Sequence, residues 1–226
     1  MYVVAHNGSA ILGGGELGTT HLLAGLQERG HRVRMLCRDP GMAGRVAAYG
    51  IPTGVAHVGG DAMLPDAFRF AAVLRRERPD ALVLTTFKKV FLAGMGARMA
   101  GVPRVVQRIV LSTDVPRAAR YRVALRRFVD VVALNAGVMR PAFLAGDPAL
   151  DPTRVRTLYD GVRVPARTAD PGAVRRAPGL PEGARTDGAV ARLARQKRLE
   201  RLLRAVALLP EDVHCVLAGE GDQRAV

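Results

Sequence analysis

Short apolar segments alternate with amphipathic segments along most of this 226-residue chain. The apolar segments have the length of β-strands, and the amphipathic ones carry apolar residues at helical spacing, as Leu22, Leu23 and Leu26 do. This alternation predicts an α/β fold in which helices cover both faces of a parallel sheet. Strands are predicted over residues 2–6, 31–37, 55–58, 80–86, 105–111, 129–134 and 154–159, and helices over residues 16–29, 64–78, 90–100, 115–128 and 138–145.

Residues 164–186 interrupt the alternation. They are rich in Pro, Gly, Arg and Ala without an apolar period, which is typical of a linker or a surface excursion. Further elements follow: a strand over 188–192, a helix over 198–209 and a strand over 213–218. Two strands and one helix cannot cover both faces of a parallel sheet. We therefore expect a Rossmann-like N-terminal domain over residues 1–163 and the incomplete start of a second Rossmann-like domain over residues 187–226.

The chain carries a formal net charge of +14, from 34 Lys and Arg residues against 20 Asp and Glu residues. Such an excess raises the question of a nucleic-acid partner. The cations are scattered and no nucleic-acid-binding motif accompanies them. Aromatic residues make up only 4% of the chain, so bases would find few side chains on which to stack. We expect no nucleic-acid partner, because anionic lipid headgroups or phosphorylated acceptors suit this charge better.

The two cysteines, Cys37 and Cys215, lie singly in apolar runs and match no metal-binding or disulfide pattern. The sequence contains no apolar run long enough to span a bilayer and no secretory signal. We therefore expect a cytoplasmic protein whose thiols stay reduced.

Residues 13–18 satisfy the pattern G-x-G-x-x-G, and Asp39 follows about twenty residues later. One interpretation is an NAD(P)-dependent oxidoreductase that binds a dinucleotide at this loop. In such folds the first glycine follows its strand almost at once, whereas residues 7–13 form a longer loop here. A second interpretation is a loop whose backbone approaches another phosphate or a sugar. A third is that the chain is a basic module that binds a membrane or a polyanion.

Arg192 ends an apolar run, and Lys197 lies just before an amphipathic helix. The carboxyl end of a strand and the N-terminus of a helix are both places where α/β proteins bind anions. Arginine can donate two hydrogen bonds to a phosphate, and lysine adds a point charge. This pair predicts a diphosphate-binding site, and the alternative is two solvated surface cations.

Four groups of motifs, taken together and in order, resemble the retaining glycosyltransferases of family 4, which have the two-domain GT-B fold. The motifs are Gly-Gly-Gly-Glu at 13–16 with Arg-Gly-His-Arg-Val at 29–33; Arg-Pro-Asp at 78–80; Val-Val-Ala-Leu-Asn at 131–135 with Tyr-Asp-Gly-Val at 159–162; and Ala-Arg-Leu-Ala-Arg-Gln-Lys at 191–197 with Val-Leu-Ala-Gly-Glu-Gly-Asp at 216–222.

The resemblance implies transfer of a hexosyl group, with retention, from a nucleotide-diphosphate sugar held between two domains. It implies that Arg192 and Lys197 are the catalytic cations, which neutralise the leaving diphosphate. No metal or other cofactor is expected, since these cations replace it and the chain has no Asp-x-Asp pattern. The donor-binding residues implied in this way are Gly14, Gly15, Glu16, Gly219 and Gly221.

The acceptor implied by the resemblance is a glycan, lipid-linked or phosphorylated, in cell-envelope synthesis. Polar residues at predicted strand ends are the acceptor-side candidates, namely His6, Lys88, Arg108 and Asp114. A lone histidine such as His6 is more often a structural residue. The predicted helix 115–128 carries five arginines: Arg117, Arg120, Arg122, Arg126 and Arg127. They suit peripheral contact with the inner face of an anionic membrane, although a simple solvated helix face explains them as well.

The sequence departs from the family pattern at several positions. Ala191 and Arg198 stand where glycine is usual, and Asp160 replaces the usual asparagine. The family's Glu-x7-Glu segment, which holds the donor sugar and the ribose, is not among these 226 residues. We therefore expect a chain truncated within its C-terminal domain and inactive by itself.

Overall fold

The computed structural model describes residues 1–59, 63–162, 170, 172–173, 179–181 and 183–224. The chain forms two compact units, residues 1–163 and 164–226, which are described separately. Much of the predicted linker 164–186 lies outside the described residues, and Arg185 and Thr186 at its end already belong to a strand.

The first unit is built on a seven-stranded parallel sheet. Its strands are β1 (Tyr2–Asn7), β2 (Arg32–Cys37), β3 (Thr53–Val55), β4 (Ala81–Leu84), β5 (Arg104–Ile109), β6 (Val131–Leu134) and β7 (Val155–Thr157). Their order across the sheet is β3-β2-β1-β4-β5-β6-β7. This confirms the predicted α/β class, although the third strand lies earlier than the predicted residues 55–58.

Helices connect the strands of this sheet. They are α1 (Gly14–Glu28), α2 (Pro40–Ala47), α3 (Leu64–Glu77), α4 (Val90–Met99), α5 (Ala119–Arg127) and α6 (Arg140–Gly146). The predicted helix 115–128 begins only at Ala119. Pro116 disfavours helical backbone at Val115, and Ala118 has an extended backbone, with φ −80° and ψ 142°.

No helix is predicted at residues 40–47, yet α2 lies there. Two glycines, Gly41 and Gly44, lower the helical propensity of this segment. The helix starts because the Asp39 carboxylate accepts the N–H of Met42 at 2.9 Å and Pro40 occupies the first turn. Asp39 is therefore a helix cap, which accounts for its position without a dinucleotide ribose.

Apolar side chains fill both faces of the sheet. Successive residues of β1 alternate between them: Val4 packs with Phe70 of α3, and Val3 packs with Leu23 of α1. The first core lies under α3 to α6 and the second under α1 and α2. Covering on both faces is what parallel strands require.

The second unit pairs two parallel strands, β8 (Arg185–Val190) and β9 (Val213–Ala218), joined through helix α7 (Leu199–Val206). A strand is expected over residues 188–192. The observed strand β8 begins three residues earlier and ends two residues earlier, so Arg192 lies beyond it. The backbone pairing nevertheless continues, since the N–H of Leu193 donates to the Glu220 carbonyl at 2.9 Å.

Arg78 ends α3 with a left-handed backbone, at φ 51°, where glycine has no steric penalty. Its side chain is exposed. We expect Arg78→Gly to raise the free energy of unfolding by about 0.5–1 kcal/mol, measured by urea denaturation. Gly101→Ala, at φ 72° in open space, is the opposite control and should lower it. A less stable R78G variant would contradict the strain at this position.

Candidate functional site

The strand order of the first unit changes direction beside β1. The chain runs from β1 outward to β2 and β3 and then returns to the other side of β1 with β4. In such sheets, ligands bind outside the carboxyl ends of the strands at this point. The two strand ends are tied together, because the N–H of Gly8 donates to Thr86 Oγ1 at 3.0 Å and the Thr85 hydroxyl donates to the His6 carbonyl at 3.1 Å. This edge is the candidate site of the first unit.

The glycine-rich loop leads into α1 at this edge. Gly13 precedes the first turn, and the Glu16 carboxylate accepts its N–H at 2.9 Å. Glu16, a predicted donor-binding residue, therefore caps its own helix. The N–H groups of the first turn have no acceptors within the helix, so they give this end of α1 a partial positive charge.

The glycines of this loop differ in what surrounds them. A Cβ on Gly15 would lie 3.0 Å from Val110 Cγ2, and one on Gly18 would lie 2.9 Å from a guanidinium nitrogen of Arg108. Side chains at these two positions would make tight contacts, because α1 packs closely against β5 and the residues after it. Gly14 is exposed, and a Cβ there would meet no described atom within 4 Å. Gly14 is thus the glycine with open space for a ligand.

Arg108 does not point toward solvent. It is 3% exposed, and one guanidinium nitrogen donates to both the Gly15 carbonyl and the Thr19 hydroxyl at 3.0 Å. The other nitrogen donates to Asp160. The structure therefore places this acceptor-side candidate beneath the first turns of α1.

His6 is also buried, at 1% exposure. Its Nε2 atom lies 3.1 Å from the Ala56 carbonyl, and its ring packs 4.7 Å from that of Phe70. Burial lowers the pKa of His6 to about 4, so the imidazole is neutral at neutral pH.

The two neighbouring lysines after β4 differ. Lys89 donates to the Gly59 carbonyl, which leaves its charge engaged in the loop after β3. Lys88 is exposed. Burial raises the pKa of Asp114, a half-buried residue after β5, while the positive charge of Lys88 opposes that rise. Lys88 and Asp114 thus act on each other at the carboxyl edge.

The cations of the second unit are exposed. Arg192 follows β8, and Lys197 ends a 3-10 turn (Arg195–Lys197) directly before α7. Within the described residues, neither side chain forms a hydrogen bond or an ion pair. Both charges are therefore available to a ligand. Arg198, which stands where the family usually has glycine, has the left-handed backbone that glycine favours, with φ 51°.

The two predicted donor-binding glycines of this unit lie where backbones approach closely. A Cβ on Gly219 would collide with the Ala191 carbonyl, and one on Gly221 with the Leu193 carbonyl. The pairing of these segments beyond β8 and β9 therefore accounts for both glycines.

Within the described ranges, no three His, Cys, Asp or Glu side chains come together to hold a metal ion. Across that same part of the chain, no helix has the length and apolar character needed to cross a membrane.

Residues 13–140, more than half of the chain, match the sequence profile of the family described as Glycosyl transferase 4-like domain. The chain belongs to this family. The matched segment contains the glycine-rich loop, Lys88, Arg108 and Asp114, and the resemblance inferred from the motifs is confirmed. No curated protein sequence matches the chain.

Solved structures with the same fold include transferases and another enzyme. Anabaena HepE in complex with UDP-glucose matches with a TM-score of 0.80 at 18% identity, over 97% of this chain and 61% of that one. The lipopolysaccharide outer core galactosyltransferase WaaB matches at 0.65 and 12% identity, over 98% and 61%. A UDP-N-acetylglucosamine 2-epimerase from Rickettsia bellii matches at 0.50 and 10%, over 97% and 69%. The GT-B fold is confirmed, and the chain spans about 61% of the length of HepE.

Arg108 and Asp160 are far apart in the sequence, and only the structure shows that they pair. An arginine inside the apolar run of β5 needs a counter-charge when it is buried, which is the signal available in the sequence. The spacing of the two residues does not indicate which carboxylate supplies it.

Burial keeps His6 neutral in the folded protein, whereas the unfolded chain can protonate it. Acid should therefore lower the free energy of unfolding. The stabilising contribution of His6 is complete above its ordinary pKa of 6.5 and is lost as pH falls toward 4, a difference of about 3 kcal/mol. Urea unfolding across this range should show that loss in the wild type and not in His6→Gln. His21→Gln, at an exposed histidine of α1, should keep the wild-type pH dependence. An unchanged profile in H6Q would refute the assignment.

The close backbone approach at Gly219 predicts that Gly219→Ala destabilises the second unit by about 1–3 kcal/mol, the range seen for overpacking. Faster amide exchange in residues 185–224, measured by mass spectrometry, would report it. Gly14→Ala, where there is open space, is the matched control and should leave exchange in both units unchanged. Equal exchange in G219A and the wild type would show that the backbones are not in close contact.

Proposed function

We propose that the protein containing this chain is a glycosyltransferase that moves a hexosyl group, with retention, from a nucleotide-diphosphate sugar to a glycan, lipid-linked or phosphorylated acceptor of the cell envelope. The observation that carries this proposal is the family match over residues 13–140, which includes the open Gly14 at the carboxyl edge of the sheet. The UDP-glucose complex of HepE and the galactosyltransferase WaaB support this class of donor.

In this proposal Arg192 and Lys197 neutralise the diphosphate as it leaves. Both side chains are exposed and form no hydrogen bond or ion pair with the described residues, so neither must break one to bind phosphate oxygens. A preorganised charge that acts on the leaving group in the transition state contributes roughly 3 kcal/mol. The two cations carry out this step without a metal ion. Gly219 and Gly221 would offer backbone groups to the donor in the same unit.

The first unit supplies the glycine loop and the acceptor side. Backbone N–H groups at Gly14 and Gly15 face substrate oxygens at the positive end of α1. Lys88 and Asp114 contact the acceptor, since Lys88 is exposed at this edge and burial raises the pKa of Asp114 there. His6 and Arg108 are buried and support this edge from below.

We include peripheral contact with an anionic membrane, on its cytoplasmic face, in the proposal. Arg117 before α5 and Arg127 at its end are exposed, as is the apolar side chain of Val123. Arg126 is already paired with Asp147. Exposed arginines beside an exposed apolar residue suit a surface of anionic headgroups, which would bring the enzyme to a lipid-linked acceptor.

The experiment is a kinetic comparison in the complete protein. Arg192→Ala and Lys197→Ala should each lower kcat by about 10²–10³-fold, as loss of one transition-state charge contact does, without changing thermal stability. Arg201→Ala, at another exposed cation of the same unit, is the matched control and should keep kcat. Transfer would be measured with UDP- and GDP-sugars, and NMR of the product would report the retained anomeric configuration.

Four outcomes contradict the proposal. Near-normal turnover in both the Arg192→Ala and the Lys197→Ala variant would remove these two residues from the mechanism. Binding and reduction of NAD would favour an oxidoreductase, and epimerisation of a UDP-sugar without transfer would favour the activity of the Rickettsia bellii neighbour. Binding to anionic vesicles without any sugar transfer would favour a basic membrane module.

A further inference from the structure

Arg108, which is buried, and its partners form a polar cluster at the start of α1. The guanidinium donates to the Gly15 carbonyl, to the Thr19 hydroxyl and to the Asp160 carboxylate. The Thr19 hydroxyl in turn donates to the Gly15 carbonyl at 3.0 Å. Arg108 and Thr19 are 3% and 0% exposed, so water has little access to the guanidinium, whereas the side chain of Asp160 is 38% exposed. The cluster connects β5 to the first turns of α1.

Asp160, near the C-terminal end of the first unit in the sequence, supplies the counter-charge of Arg108. It follows β7, and its second carboxylate oxygen accepts the Asn135 side-chain amide at 3.3 Å. A buried guanidinium without a carboxylate would carry the full cost of losing its water. Asp160 stands where the resembling family has asparagine, and its negative charge matches Arg108, which explains the aspartate at this position.

We propose that Arg108 and Asp160 are positioning residues that hold the first turns of α1, and with them the backbone of Gly14, against the carboxyl edge of the sheet. The inference rests on the proposed function, because it assigns to the pair the placement of the N–H groups that meet the substrate. Gly15 and Gly18 belong to the same arrangement, since side chains there would meet Val110 and Arg108.

This arrangement gives Arg108 a different role from the acceptor contact predicted from the sequence. Its two terminal nitrogens already donate to three acceptors within the unit, and its side chain is 3% exposed. It lines the cavity beside Gly18 and Tyr159, but its small exposed surface and its existing hydrogen bonds leave little of it for a substrate. Arg108 therefore acts on the substrate only through the helix that it holds.

Another arginine–carboxylate pair of the first unit, whose carboxylate is fully buried, serves as a control. Asp147 accepts two hydrogen bonds from Arg126, at 2.6 and 3.0 Å, and its side chain is 0% exposed. This pair joins α5 to the end of α6, and among the described residues its side chains form no hydrogen bond with α1 or the glycine loop. Loss of its charge tests whether any weakening of the unit also loosens α1.

The test is amide hydrogen exchange of the 226-residue chain, followed by mass spectrometry. Asp160→Ala and Thr19→Val should accelerate exchange at least tenfold in residues 17–19, whose N–H groups close the first helical turns. Thr19→Ser keeps the hydroxyl and should exchange as the wild type does. Asp147→Asn should accelerate exchange around residues 140–147 and leave residues 17–19 unchanged.

Unchanged exchange at 17–19 in both D160A and T19V, or equal acceleration in D147N, would overturn the proposal. If D160A does not fold, the isosteric Asp160→Asn decides: acceleration confined to the start of α1 supports the pair, and wild-type exchange refutes it. The readout requires no activity. A negative exchange result would therefore contradict the positioning role and not the transferase proposal. Inactivity of the complete enzyme would contradict the transferase proposal and not the exchange result.

Discussion

The parallel pairing of β1 with strands on both sides determines where everything else in the first unit lies. Val4 pairs with Arg34 of β2 on one side and with Leu82 of β4 on the other. Because all these strands run in the same direction, their carboxyl ends meet at one edge, and the helices that follow them begin there. This pairing brings three features to one edge of the sheet: the positive end of α1, the lysines after β4 and the loop that carries Asp114. A slip of one residue would exchange the two cores, since Val3 and Val4 face opposite sides.

Much of the arginine excess serves internal structure. Arg154 donates to the Leu125 and Val129 carbonyls, and Arg98 pairs with Asp130 at 2.7 Å. Burial alone would raise the pKa of Asp130, yet hydrogen bonds from Arg98 and from a backbone N–H outweigh it and hold that pKa below its usual value. Guanidinium groups suit this use because one side chain can reach several acceptors at once. The net charge of the chain is therefore a poor guide to its partners, and the exposed cations beside a strand end are a better one.

The fold alone does not select the reaction. Transferases and a UDP-N-acetylglucosamine 2-epimerase share it at low sequence identity. What separates the possibilities is the use of particular residues. The dinucleotide interpretation needs Asp39 on a ribose, but its carboxylate caps α2. The glycosyltransferase interpretation needs an open backbone at the glycine loop, which Gly14 provides. It also needs an unpaired cation after β8, and Arg192 has no partner among the described residues.

The sequence by itself determined the features that depend on neighbours along the chain. Apolar periodicity predicted the strands, the long helices and the α/β class, and ordered motifs predicted the family. It missed α2, whose start depends on one side-chain cap, and it placed the start of the helix that carries the arginines too early. Only the tertiary structure decided which glycines serve packing. A Cβ on Gly15 would contact Val110 and one on Gly18 would contact Arg108, and both partners come from distant segments of the chain. It likewise decided that His6 and Arg108 are buried. Burial of a polar group depends on partners that the fold brings together, and neither composition nor spacing along the chain specifies which residues those are.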